Sequence, residues 1–270
     1  MSQEGAALVS VIVPTLNEEA SLPICLRSVR SQTWPGIELL IVDSGSKDRT
    51  REIANEFGAT LVDYPGRLMG ARKKGVEACR GDLVLFLDGD QVLYTDTVER
   101  AVRAIAERDM LVLEETSYEP KGWLQKSLCR QKAALHRAAD REKGFGPNLY
   151  PRFFRRDLLL EAYEGLDEAT MSKVFAYEDG LLFRRTYAVS KRVAILDRGV
   201  MHMEEKGWLW FMRHAYGAGK SSKSVRMEDL EGDLGRAEPV RKQLARAAKG
   251  RYLTLSLVKE TCFRLGRLAG

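Results

Sequence analysis

Asp88-Gly89-Asp90 closes residues 83–87 (LVLFL), the most apolar strand-like run in the chain. Alternate residues of an extended segment point the same way. The two carboxylates can therefore face one ion across Gly89, whose missing side chain leaves room for a ligand. Oxygen-only ligands suit Mg²⁺ or Mn²⁺, and such an ion can bridge a diphosphate. Asp and Gly are also ordinary turn residues, and an isolated DGD would read as a solvated turn. Here a buried strand precedes it and two further polar strand ends accompany it, which favours the metal.

Those strand ends come from a regular alternation. Residues 9–14 (VSVIVP) and 37–42 (IELLIV) read as buried strands, 60–62 as a short third and 83–87 as a fourth. Helical periodicity fills the intervals over residues 18–30, 48–57 and 68–79. Such spacing predicts βαβ units, a doubly wound and mostly parallel sheet, and a ligand site beyond the carboxyl ends of its strands. The first strand runs into Thr15-Leu16-Asn17-Glu18 and the second into Asp43-Ser44-Gly45-Ser46-Lys47-Asp48. After Glu99 the pattern loosens. A basic helix is expected over 123–141, a loop at 144–148 (GFGPN) and an aromatic, basic run over 150–156. Further helices are expected over 178–187 and 208–222, with a strand-like run over 192–196. Trp208, Trp210, Phe211 and Tyr216 recur at helical spacing and read as core rather than as a sugar platform.

Four segments, VSVIVPTLNEEASLPICLRSV, ELLIVDSGSKDRT, GARKKG and GDLVLFLDGD, occur in this order and spacing. Together they resemble the nucleotide-binding half of family 2 glycosyltransferases, over roughly residues 8–107. The resemblance implies the GT-A fold and a nucleotide-sugar donor, with UDP and GDP both open. It implies that Pro14, Glu18 and Asp43 line the base and ribose, that Arg72 lies near the diphosphate or base, and that Asp88 and Asp90 are the DxD metal motif. With Gly89 these complete the expected donor site. Lys73 stands where many members carry Asn. His202 matches a histidine that completes the metal shell in several members; by residue type alone it reads as readily as a structural histidine. Asp48 is assigned to capping the helix after it.

Glu178-Asp179 resembles the family's Glu-Asp pair in the acceptor half. Transfer to a hydroxyl needs a base to take its proton. A carboxylate opposite the departing diphosphate would give direct displacement with inversion, by the logic of opposed faces that governs inverting glycosidases. Asp179 is assigned as the base and Glu178 as a supporting acceptor contact. Residue types alone read the pair equally as a helix N-terminus, where acids suit the dipole.

Composition sets the remaining bounds. The 270 residues carry a net charge of +5. After residue 235, nine Lys and Arg face only Glu238 and Glu260, giving +7 there and −2 on the rest. The basic pI therefore belongs to the tail, and nucleic acid is not an expected partner of the body. In the tail Leu253, Leu255, Leu257, Val258, Phe263, Leu265 and Leu268 interleave with cations. They read as amphipathic helices that are solvated, packed back on the domain as core, or laid on an anionic membrane; the membrane is favoured, because a lipid-linked or glycan acceptor would be presented there. The expected organisation is a GT-A domain over 1–226, split into donor (8–107) and acceptor (108–226) halves, with a linker and basic helices over 227–270. Four dispersed cysteines and no apolar leader suggest a reducing, cytoplasmic setting, at the cytoplasmic face of a membrane if the tail docks. A sugar-phosphate nucleotidyltransferase would need a Gly-rich loop that PTLNEEA lacks, and no GxGxxG follows the first strand as a dinucleotide oxidoreductase requires. A non-catalytic nucleotide-sugar-binding scaffold is the remaining alternative, against which the intact DGD and Glu178-Asp179 argue.

Overall fold

The computed structural model describes residues 7–137, 150–173, 178–203, 208–221 and 253–269. Its first half is the expected alternation. Strands β1 (Val9–Thr15), β2 (Ile37–Asp43), β3 (Thr60–Asp63) and β4 (Leu83–Phe86) alternate with helices α1 (Leu22–Arg30), α2 (Thr50–Glu56) and α3 (Leu68–Ala78). The four strands pair in parallel, in the order β3-β2-β1-β4. β1 and β4 are buried on both faces, which is why they read as unbroken apolar runs rather than as alternating ones. Successive residues feed two cores: Ile12, Leu40, Val42 and Phe86 face α3, while Val11, Val13, Leu39 and Leu85 face α1.

The second half differs from a purely doubly wound sheet. β5 (Gln91–Leu93) and α4 (Thr97–Ala104) lead to β6 (Met110–Tyr118) and α5 (Gly122–Arg137). β7 (Pro151–Arg155) then leads to α6 (Arg156–Tyr163), α7 (Glu168–Lys173), α8 (Glu178–Val189) and β8 (Val193–Met203). The sheet continues from β4 through β7, β6 and β8 to β5, and β7 lies antiparallel to both its neighbours. Of the seven strand pairings four are parallel, so the sheet is mixed with a parallel N-terminal half. The run at 150–156 is thus largely a strand, and 192–196 is the start of a longer one. The helix expected from residue 18 begins at Leu22, because Asn17 takes a left-handed backbone (φ 56°) and residues 18–21 form turns. The loop at 144–148 and the linker at 227–238 lie outside the described residues.

Two helices finish the described chain: α9 (Trp208–Ser221) and α10 (Leu253–Ala269). They pack on each other through Ala215, Gly219 and Gly266, all buried. A Cβ at Gly219 would be driven into the Phe263 carbonyl. Gly219→Ala should therefore cost about 1–3 kcal/mol as overpacking. Thermal denaturation reads this directly, and an unchanged midpoint would contradict the α9–α10 contact. The expectation that aromatics of α9 form core is corrected for Trp208 and Tyr216, which are exposed. The side chains of Trp210 and Phe211 lie outside the description.

Candidate active site

The parallel strands β1, β2 and β4 deliver their polar ends to one edge. Ser44 N–H donates to the Thr15 carbonyl (2.9 Å), and Asn17 N–H to Ser46 Oγ (2.9 Å). In return, Lys47 N–H donates to Asn17 Oδ1 (2.8 Å). Glu18 N–H donates to Thr50 Oγ1 (2.8 Å), which fixes the first loop on the start of α2. Asp48 accepts from Thr50 N–H and from Glu19 N–H, both at 3.0 Å. It thus works at the helix start as expected, although Arg49 is the flanking residue and Asp48 ties down the neighbouring loop as well.

Asp43 is 1% exposed at the base of this edge. Its carboxylate accepts from Thr15 Oγ1 (3.2 Å), Ser46 N–H (3.0 Å), Gly45 N–H (3.2 Å), Arg51 (3.1 Å) and the Ser46 hydroxyl. Burial pushes its pKa up, but the Ser46 hydroxyl and amide, Arg51 and the Gly45 amide outweigh it and hold it below the usual range. Five donors use the roughly four lone-pair positions of a carboxylate. Contact with a nucleobase N–H at Asp43 therefore requires one of these donors to give way. Gly89 likewise differs from the expectation of open space: a Cβ there would meet Glu18 Cγ at 3.2 Å. The missing side chain makes room for Glu18, whose carboxylate accepts from Ser21 Oγ at 2.6 Å. Pro14 lies half-buried on β1 beside Val42.

The DGD segment is pinned from below. Asp88 N–H donates to Gln91 Oε1 (3.0 Å), and Met203 N–H donates to the Asp90 carbonyl (2.9 Å). Its two acids face different partners. Asp88 Oδ1 meets Arg72 at 3.1 Å, and its Oδ2 meets Arg152 at 2.9 Å. Burial raises the pKa of Asp88, yet Arg152 and then Arg72 bring it below the usual carboxylate range. Asp90 instead faces His202 Nε2 at 3.4 Å, placed there because Gln91 on β5 pairs with His202 on β8. Asp90 and His202 thus bring one oxygen and one nitrogen donor together, a pair that could hold a divalent ion whose remaining shell came from substrate oxygens and water. Among the described residues no group of three or more His, Cys, Asp or Glu side chains is placed to hold a metal ion, and Asp88 is paired with the two arginines.

Arg72 joins the two halves of the chain. It is 2% exposed, lies over the Phe86 ring at 5.5 Å, and bridges Asp88 at the end of β4 to Asp179 at the start of α8. Burial disfavours its charge, but Asp179, Asp88 and Glu178 more than compensate and keep it protonated. Glu178 is raised above the usual range, first by burial and then by its neighbour Asp179. Lys73 points elsewhere, its Nζ donating to the Leu166 carbonyl at 3.0 Å.

Arg152 is the site residue that sequence reasoning missed. β7 is antiparallel to β4, and its register places Phe154 opposite Val84. Two residues earlier on the same face, Arg152 reaches the end of β4, where Asp88 follows. The available signal was period-two alternation in PRFFR, which puts one cation on the Phe154 face.

The family model for Glycosyl transferase family 2 matches residues 10–161, more than half of the chain. The chain belongs to glycosyltransferase family 2. Its curated relatives include a PGL/p-HBAD biosynthesis glycosyltransferase of Mycobacterium tuberculosis, 40% identical over 113 residues, covering 39% of this chain and 44% of that protein. Another is glycosyltransferase AglE of Haloferax volcanii, 38% identical over 107 residues, covering 36% of this chain and 35% of that one. The matched region thus spans less than half the length of these relatives. Among solved structures, S. aureus TarS 1–349 in complex with UDP-GlcNAc superposes with a TM-score of 0.58 at 21% identity, covering 92% of this chain and 73% of that one. M. tuberculosis glucosyl-3-phosphoglycerate synthase, in complex with Mn²⁺, UDP and glucosyl-3-phosphoglycerate, gives 0.51 at 22% identity, covering 74% and 73%. These neighbours establish the GT-A fold of this family 2 chain.

Proposed function

We propose that this chain transfers a sugar from a nucleoside diphosphate sugar, UDP- or GDP-linked, to an acceptor hydroxyl with inversion at the anomeric carbon. The observation that carries this reading is the Arg72 bridge: one buried guanidinium joins the DGD acid Asp88 to the acceptor-half acid Asp179. Donor-binding and proton-accepting groups then share one edge of the sheet. UDP in the complexes of two structural neighbours supports the donor class.

Each group has a definite task in this reading. Pro14, Glu18 and Asp43 form the floor under the base and ribose. Arg72 and Arg152 face the diphosphate; as it arrives, its oxygens replace a carboxylate on Arg72 and release Asp179. Asp179 takes the acceptor proton from the side opposite the leaving group. Glu178, holding its proton more readily than an ordinary glutamate, hydrogen-bonds the acceptor. Asp90 and His202 would hold Mg²⁺ or Mn²⁺, which would offset the charge of the departing diphosphate; Mn²⁺ in the complex of a structural neighbour supports a divalent ion in this reading.

A lipid-linked or glycan acceptor at the cytoplasmic face of an anionic membrane fits the cationic C-terminal helices. No described helix is long and apolar enough to cross a bilayer. The direct assay is a donor screen that reads nucleoside diphosphate release with Mn²⁺ present. Slow hydrolysis of one UDP- or GDP-sugar, stimulated by metal, is the expected result. Release from none of them, with or without added lipid acceptors, would contradict the proposal.

A further inference from the structure

Trp123 and Trp208 stack face to face, with ring centroids 6.0 Å apart and planes at 22°. Both are exposed, at 63% and 42%. Their positions follow from the sheet. β6 and β8 run parallel and end paired, Tyr118 with Met203, and each tryptophan lies five residues beyond its strand end. On the same two strands Ser117 pairs with His202, so the stack stands just past the edge that carries the candidate metal pair.

From Trp208 an apolar stripe continues along α9. Trp208, Met212 and Tyr216 are spaced four apart, and Leu209 lies beside them. All four are large and exposed, whereas Ala215 and Gly219 on the adjoining face are buried against α10. The covered face of α9 thus has its partner in α10, and the stripe is a second apolar face. A contiguous exposed patch of this kind marks an interaction surface.

Charge decides what covers it. Together α5, α9 and α10 contain nine Lys and Arg against Glu260 alone, a net charge of +8, which leaves −3 on the remainder of the chain. Lys126, Arg130, Arg213 and Arg264 among them are exposed. Cations around an apolar stripe headed by tryptophans are the composition of an interfacial helix, and tryptophan favours the bilayer interface.

We infer that the Trp123–Trp208 stack and the exposed stripe of α9 dock on an anionic lipid bilayer, which turns the candidate active edge toward the membrane surface. This rests on the reading of a membrane-presented acceptor but assigns the docking face to α9 and α5 rather than to the tail alone. The anionic surface concentrates the protein through the cations, and the indole rings with Leu209 and Met212 enter the interface.

The test uses the full chain with phosphatidylcholine vesicles, with and without phosphatidylglycerol. Partitioning should be at least tenfold stronger on the anionic vesicles and weaken in high salt. Tryptophan emission should shift to the blue and be quenched by brominated phosphatidylcholine in the anionic mixture. The double variant W208S/L209S, altered only at exposed positions, should lose at least tenfold in partitioning with an unchanged melting temperature. Vesicle binding by this variant equal to the parent's would overturn the assignment, as would absent partitioning or self-association through this face without lipid. Donor hydrolysis in lipid-free solution is read separately. Hydrolysis without vesicle binding rejects the docking face alone, and vesicle binding without hydrolysis of any donor rejects the catalytic reading alone.

Discussion

Asp179→Asn should lower the transfer rate by about 10²–10⁴-fold, the range associated with a positioned general base, while donor affinity is kept or raised, because the diphosphate no longer displaces a carboxylate from Arg72. The side chain keeps its shape and can still accept a hydrogen bond from Arg72, but it no longer takes a proton. Arg72 also keeps Asp88 as an ionic partner at 3.1 Å, so the buried guanidinium is not left uncompensated. Steady-state kinetics with varied donor separate the two effects: kcat falls and the donor KM does not rise. Retained transfer with lost donor affinity would move Asp179 from the acceptor side to the donor side.

Asp90→Asn should remove metal stimulation and reduce turnover by at least about 10²-fold, since a bound divalent ion contributes several kcal/mol at a developing diphosphate charge. His202→Ala should act in the same direction, because His202 Nε2 is the group facing Asp90 at 3.4 Å. The fold should survive both, as β5 and β8 pair through their backbones. Mn²⁺ binding by calorimetry in the presence of UDP gives the check that does not depend on turnover. Near-normal rates in Mn²⁺ for the Asp90 variant would refute the metal assignment. Asp88→Asn differs in kind. Its carboxylate is the counter-charge of Arg72 and Arg152, so its loss disturbs the arginines as well as any ion.

The donor half was legible because its physics is local. β1, β2 and β4 are apolar runs with polar residues immediately after them, and a parallel sheet needs both. The acceptor half was less so. β6 starts with the apolar residues 110–113 and then turns half-buried and polar over 114–118, a pattern with no clean period. Arg152 escaped notice because only the antiparallel register of β7 with β4 brings it to Asp88, 64 positions away in sequence. Trp208 and Tyr216 of α9 were misread as core for a related reason. Helical spacing reveals that an apolar face exists, not which neighbour covers it, and α10 covers the adjoining face instead. Asp43 was assigned to the donor site, but not as the acceptor of five donors from its own and neighbouring loops, a network that exists only once β1 and β2 are side by side.

In the proposed mechanism one edge of the sheet holds the donor diphosphate between the arginines and Asp90, with Asp179 opposite. A crystal structure of the full chain with UDP and Mn²⁺ tests it most directly. Mn²⁺ should lie between Asp90 and His202, diphosphate oxygens on Arg72 or Arg152, and Asp179 should be released from Arg72 toward open space. UDP bound elsewhere, or bound here with Asp179 still clamped by Arg72 and no ion at Asp90, would contradict it.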